Sequence, residues 1–133
     1  MYVKLCATVA ASMFLVAAIP ARADTCMRLN GDAFSGDIGF FRFAGDLPTH
    51  HGHMVALQGR AAGVSPVWGS AVVAKDGSYL ELGAMFFIDG VQGQIDVTFV
   101  PPRSKSGSGS GDYGQYGNGS NFTATIVKCV QEP

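Results

Sequence analysis

The 133-residue chain is poor in the features that usually announce a function. It holds one tryptophan, three histidines and three cysteines, and no run of like charges. Recognition of nucleic acid or of an anionic membrane surface calls for a basic patch, and none is present. Nucleophile elbow, metalloprotease helix motif and phosphate-cradling glycine loop are all missing, so no common enzyme signature marks the chain. The best carboxylate pair, Glu81 with Asp96, falls on what reads as the outward face of a sheet, where acids are ordinarily just solvated. Beyond the first twenty residues nothing is long and apolar enough to cross a bilayer as a helix, and few stretches suit a long helix of any kind. The residues therefore point to a non-enzymatic protein without announcing what it binds.

What is present begins with an export signal. Met1 to Ala23 has a short head carrying Lys4, an apolar body from Leu5 to Ile19, Pro20, and then Ala21-Arg22-Ala23. This is the pattern of a secretory signal peptide with a small-x-small cleavage site. The apolar body is too short to span about 30 Å of hydrocarbon comfortably. Ala23-Asp24-Thr25 precedes Cys26 where a bacterial lipoprotein would need small apolar residues, so no lipid anchor is expected. Cleavage after Ala23 leaves residues 24–133 as one secreted or periplasmic domain. Loss of Lys4 and Arg22 takes the formal net charge from −1 to −3.

Cys6 leaves with the signal peptide, and Cys26 and Cys129 remain. In an oxidising compartment they are expected to pair. A disulfide needs Cα atoms within about 7 Å, so the first strand must lie beside the last. Closing so long a loop is worth about 4–5 kcal/mol in the chain-entropy model.

The strongest local pattern runs from Val67 to Phe99. Asp76-Gly77 and Asp89-Gly90 divide it into three apolar runs, and Asp-Gly between alternating runs is the sign of a type I′ hairpin turn. With two-residue loops the register follows: Ile88 opposite Val91, Phe86 opposite Gly93, Ala84 opposite Ile95, Leu82 opposite Val97 and Leu80 opposite Phe99. The other turn sets Val73 opposite Leu80, Ala71 opposite Leu82, Gly69 opposite Ala84 and Val67 opposite Phe86. All of these share one face, and a one-residue slip would turn every apolar set outward. The other strand candidates are Thr25 to Asn30, Ile38 to Phe43, His53 to Arg60 and Asn121 to Val130. Seven strands cannot close an antiparallel ring, so an eighth is expected either in a hairpin through Ala33 to Ser35 or within Asp112 to Tyr116. The fold class is then all-β, an up-and-down meander closing into a barrel of about eight strands, with a β-sandwich as the alternative.

Three places are candidate sites. The Ser/Gly-rich stretch Pro101 to Gly119 reads as a flexible loop at the barrel mouth, with Tyr113 and Tyr116 available to stack on a ligand. Together with small inner residues at Gly69, Ala71, Ala84 and Gly93, that loop favours a barrel holding a small apolar ligand. His50, His51 and His53 share one connection, a pattern that suits zinc or copper but lacks a clear further ligand. Finally, the register forces Trp68, Met85 and Phe87 onto the face away from the core, next to Pro66. Such a patch is expected to be covered by a protein partner, by a second copy in a homo-oligomer, or by the glycine-rich loop.

Overall fold

A computed structural model describes residues 24–34, 36–114 and 119–129. The expected signal peptide, Met1 to Ala23, lies outside the described residues, as does Tyr116. Eight antiparallel strands follow one another in chain order around a closed barrel. They are β1 (Thr25–Gly31), β2 (Phe40–Phe43), β3 (Met54–Ala61), β4 (Ser65–Val73), β5 (Leu80–Ile88), β6 (Val91–Phe99), β7 (Ser106–Tyr113) and β8 (Ser120–Val127). Closure leaves no sheet edge and replaces the sandwich alternative. Cys26 and Cys129 are disulfide-bonded with Cα atoms 5.2 Å apart. Beside them β1 pairs with β8, Cys26 opposite Val127, which is the neighbour relation that the two cysteines require.

Every pair derived from the two Asp-Gly turns is present between β4, β5 and β6. Asp89 and Gly90 both have positive φ, 52° and 78°, as a type I′ turn demands. Asp76-Gly77 differs from expectation, because only Gly77 has positive φ. There the Gly77 N–H donates to the Ala74 carbonyl at 2.9 Å, making a turn around Lys75 and Asp76, and the Ala74 N–H donates to the Tyr79 carbonyl. The Asp76 carboxylate accepts from the Ser78 N–H and hydroxyl, which tightens the turn. This loop is two residues longer than a type I′ connection but centred on the same peptide bond, so the register is unchanged.

The flexible loop expected over Pro101 to Gly119 is overturned in its middle, where Ser106–Tyr113 is β7. The second proposed source of the eighth strand is right in part, since Asp112 and Tyr113 are the last residues of β7. No strand forms at Ala33, and β7 starts six residues before Asp112. A Ser-Gly alternation brings no apolar side chain of its own, which is why it resembles a linker. In the barrel it needs none. Its serines face out, while Gly107, Gly109 and Gly111 face in under rings supplied by other strands. A Cβ at Gly107 would stand 2.8 Å from the Phe99 ring, and one at Gly109 2.7 Å from the Phe122 ring. The glycines thus let aromatic rings lie directly on the backbone, and the apolar burial that orders β7 comes from its neighbours.

The same arrangement fills the interior. Phe34, from the β1–β2 connection, lies edge-on to Phe86 at 6.2 Å and to Phe122 at 5.3 Å. Phe41 meets Phe86 edge-on at 5.3 Å and stacks on Phe43. Phe34, Phe41, Phe43 and Phe86 have no exposed surface at all, and Phe99 keeps 1%. Side chains lining a void large enough for water would show accessible area, so there is no ligand-sized space among these rings. The inner glycine and alanine positions expected to leave room do not: a side chain at Gly93 would run into the Phe86 ring, and one at Gly69 into the Gly83 carbonyl.

Candidate functional site

With aromatic rings filling the interior, the outer surface is the face to inspect for a site. Alternation along β4, β5 and β6 places three rows side by side. Trp68, Met85 and Gln94 form one row, Ser70, Gly83 and Asp96 the next, and Val72, Glu81 and Thr98 the third. Glu81 and Asp96 are diagonal neighbours on the outward face, as expected. Trp68 and Phe87 stack diagonally across the strands, ring centroids 5.9 Å apart and planes 27° from parallel. Trp68 keeps 43% of its surface exposed, and Met85 and Phe87 keep 38% each. The glycine-rich segment does not cover them, because it is a strand on the far side of β6. The patch derived from the register is therefore bare within the described chain.

Gly83 is the residue that sequence reasoning passed over. It lies mid-strand, faces outward and breaks the apolar-polar alternation with no side chain at all. Of the atoms around it, only the Asp96 carboxylate would meet an added Cβ, at 3.2 Å. The fold does not need glycine here, and an interior strand glycine costs roughly 0.5–1 kcal/mol against alanine. The result is a shallow depression of about 310 Å³ floored by the Gly83 backbone, with Trp68 and Met85 on one side and Ser70, Gln94 and Asp96 around it. A second depression, of about 340 Å³, shares Asp96 and continues over Thr98, Ser108, Ser110 and Asn121. The Gln94 amide donates to the Asp112 carboxylate at 3.3 Å, which steadies it at the rim. Reading Ser-Gly alternation as a strand with a hydroxyl-bearing face would have exposed this second depression in the sequence.

The other sequence candidates are dispersed. Tyr113 is not a mouth flap: it ends β7 pointing inward, 8% exposed and stacked on Phe86 at 5.9 Å, and its hydroxyl donates to the Ile88 carbonyl at 3.2 Å. His50 and His53 approach each other, ring centroids 6.2 Å apart, and the His53 N–H donates to the His50 carbonyl. The His51 ring instead packs over Gly77 in the β4–β5 turn. Among the described residues no three of histidine, cysteine, aspartate or glutamate are grouped to hold a metal ion. A depression of about 490 Å³ at the histidine end is lined by Asp46, Pro48, Thr49, Arg103 and Lys105, an acid among cations that gives no field of a single sign.

Charge divides the outer surface into halves. Arg28, Arg42 and Arg60 are outward on β1, β2 and β3. There Arg28 lies over the Phe40 ring at 5.2 Å and Arg42 pairs with Asp24 at 2.7 Å. The Arg42 guanidinium, chiefly through that hydrogen bond, holds the Asp24 carboxyl below the ordinary carboxylate range. From β4 through β8 no strand residue is lysine or arginine, while Glu81, Asp96 and Asp112 are acids. No protein-family model, curated protein or solved structure matches the chain, so the reading of this surface rests on its own geometry.

Proposed function

We propose that this is an exported, non-enzymatic binding protein whose working surface is the outer face of β4, β5 and β6 rather than the barrel interior. The observation that carries the reading is the stacked Trp68–Phe87 pair, left open to solvent beside a mid-strand glycine that the fold does not need. Large side chains left in water forgo about 1.5–3 kcal/mol of burial each. Export is supported by the signal-like first 23 residues and by the Cys26–Cys129 disulfide, which is compatible with an oxidising compartment. A second copy of the chain fits the patch poorly. Three side chains about 40% exposed offer roughly 200–300 Å², whereas a stable dimer buries about 800 Å² on each partner.

Photo-crosslinking tests the reading. A benzophenone side chain is placed at Phe87, and as control at Arg28 on the opposite half, in protein produced in its native extracellular or periplasmic setting. An adduct formed from position 87 and absent from position 28 is the expected result. Equal labelling at both positions, or none at either, contradicts the reading, and an adduct of twice the monomer mass would make the partner a second copy.

A further inference from the structure

Resting on that reading, we propose that the notch over Gly83 is a carbohydrate subsite and that the occupant of this face is a neutral polysaccharide. The shape comes first. A compact apolar ligand is normally held in a concave pocket that buries most of its surface, and the notch is open and shallow. A sugar ring asks for something different. It presents a flat face of C–H groups and a rim of hydroxyls, so it needs an apolar wall on one side and hydrogen-bonding groups at its edge. Trp68 and Met85 supply the wall, while Ser70, Gln94 and Asp96 supply the edge. The Asp96 carboxylate has two oxygens that accept from neighbouring hydroxyls, and the serine hydroxyl and glutamine amide both donate and accept. Gly83, with no side chain, lets the ring come down onto the strand.

Continuity extends the site. Across Asp96 the second depression offers only hydroxyl, amide and carboxylate side chains apart from the edge of Phe122. None of the side-chain hydrogen bonds among the described residues involves Asp96, Ser108, Ser110 or Asn121, so their capacity is unspent among those residues. Charge selects the ligand. A face with acids and no strand lysine or arginine repels polyuronates and sulfated glycans and accepts uncharged ones. A peptide is the weaker occupant, because strand addition needs a free sheet edge and this barrel is closed.

Affinity electrophoresis in gels containing soluble β-glucan, mannan or xylan, with alginate and polygalacturonate as acidic controls, tests the proposal. Fluorescence titration with uncharged chitin oligosaccharides adds a second readout, since Trp68 is the sole tryptophan. Retardation or a fluorescence change with at least one neutral glycan, and none with the acidic polymers, is expected. Trp68→Ala and Gly83→Val should each weaken retardation by about tenfold or more, with melting temperatures close to that of the wild type. Gly83→Val is the sharper variant, because valine suits a strand and on the outer face it fills the notch and moves only the Asp96 carboxylate at its edge. If no neutral glycan is bound, or if both variants bind like the wild type, the proposal is wrong. An adduct from position 87 together with a silent glycan panel would leave the outer-face reading standing and remove carbohydrate alone. Silence in both would remove both.

Discussion

Gly109 and Gly83 belong to the same barrel, and each is glycine for the opposite reason. At Gly109 the inner face is so crowded that the Phe122 ring occupies the space of a side chain. At Gly83 the outer face is open, and only a movable carboxylate stands near. The first glycine is dictated by packing within the chain. The second answers to nothing in the chain, which directs attention to what lies outside it.

The largest expected effect breaks this contrast if it fails. Gly109→Val should destabilise the barrel by about 3 kcal/mol or more, because strand backbone and ring must both move. Gly83→Val should change stability by less than about 1 kcal/mol in either direction. Urea midpoints at constant slope measure both, and equal losses would show that Gly83 is structural after all. Next in size is the disulfide. Replacing Cys26 and Cys129 together with alanine should cost about 2–5 kcal/mol, and thiol titration of the denatured, unreduced protein should find no free thiol. Two free thiols would remove the bond and the clamp it places on the β1–β8 seam.

Tyr113→Phe sharpens the comparison from inside. Its ring stacks on Phe86 and its hydroxyl is hydrogen-bonded to Ile88, so loss of the hydroxyl should cost about 1 kcal/mol. In a domain of this size that is a fall of about 4–8 °C in melting temperature. An unchanged melting temperature with altered ligand binding would restore the tyrosine to a mouth role. Zinc titration at neutral pH should give weak or no binding, since His51 is separated from the His50–His53 pair. A tight one-to-one isotherm abolished by His51→Ala would show that the loop rearranges around metal. The smallest effect is electrostatic. Hydrogen bonds from Ser78 hold the Asp76 carboxyl below the ordinary carboxylate range. Its contribution is therefore complete above that range and lost as pH falls through the lowered value, so Asp76→Asn should flatten the acid end of the stability profile. An identical acid profile would show that the turn does not depend on the charge.

Much of the fold was legible because a few residues constrain many. Two Asp-Gly pairs determined the register of three strands, and one pair of cysteines required the first strand to meet the last. The outward position of Trp68, Met85 and Phe87 followed directly from that register. The alternating serines and glycines of β7 were not legible, because the burial that orders them belongs to rings outside the strand, Phe99 and Phe122 on the flanking strands and Phe34 from the β1–β2 connection. Interior volume was hidden for the same reason: Gly93 looks like empty space until the Phe86 ring is placed over it. Gly83 could have been noticed as an outward glycine between Glu81 and Met85, yet its meaning depends on Trp68, Asp96 and Gln94, which belong to two other strands.

An outer binding face requires Trp68 to be bare in the isolated protein and covered when the protein works. Acrylamide quenching of its fluorescence in purified, disulfide-bonded monomer, with mass checked by light scattering, measures this directly. The expected result is a red-shifted emission that is readily quenched, at monomer mass. A blue-shifted emission shielded from acrylamide at monomer mass would mean that the chain covers its own patch, and would contradict an outer binding face.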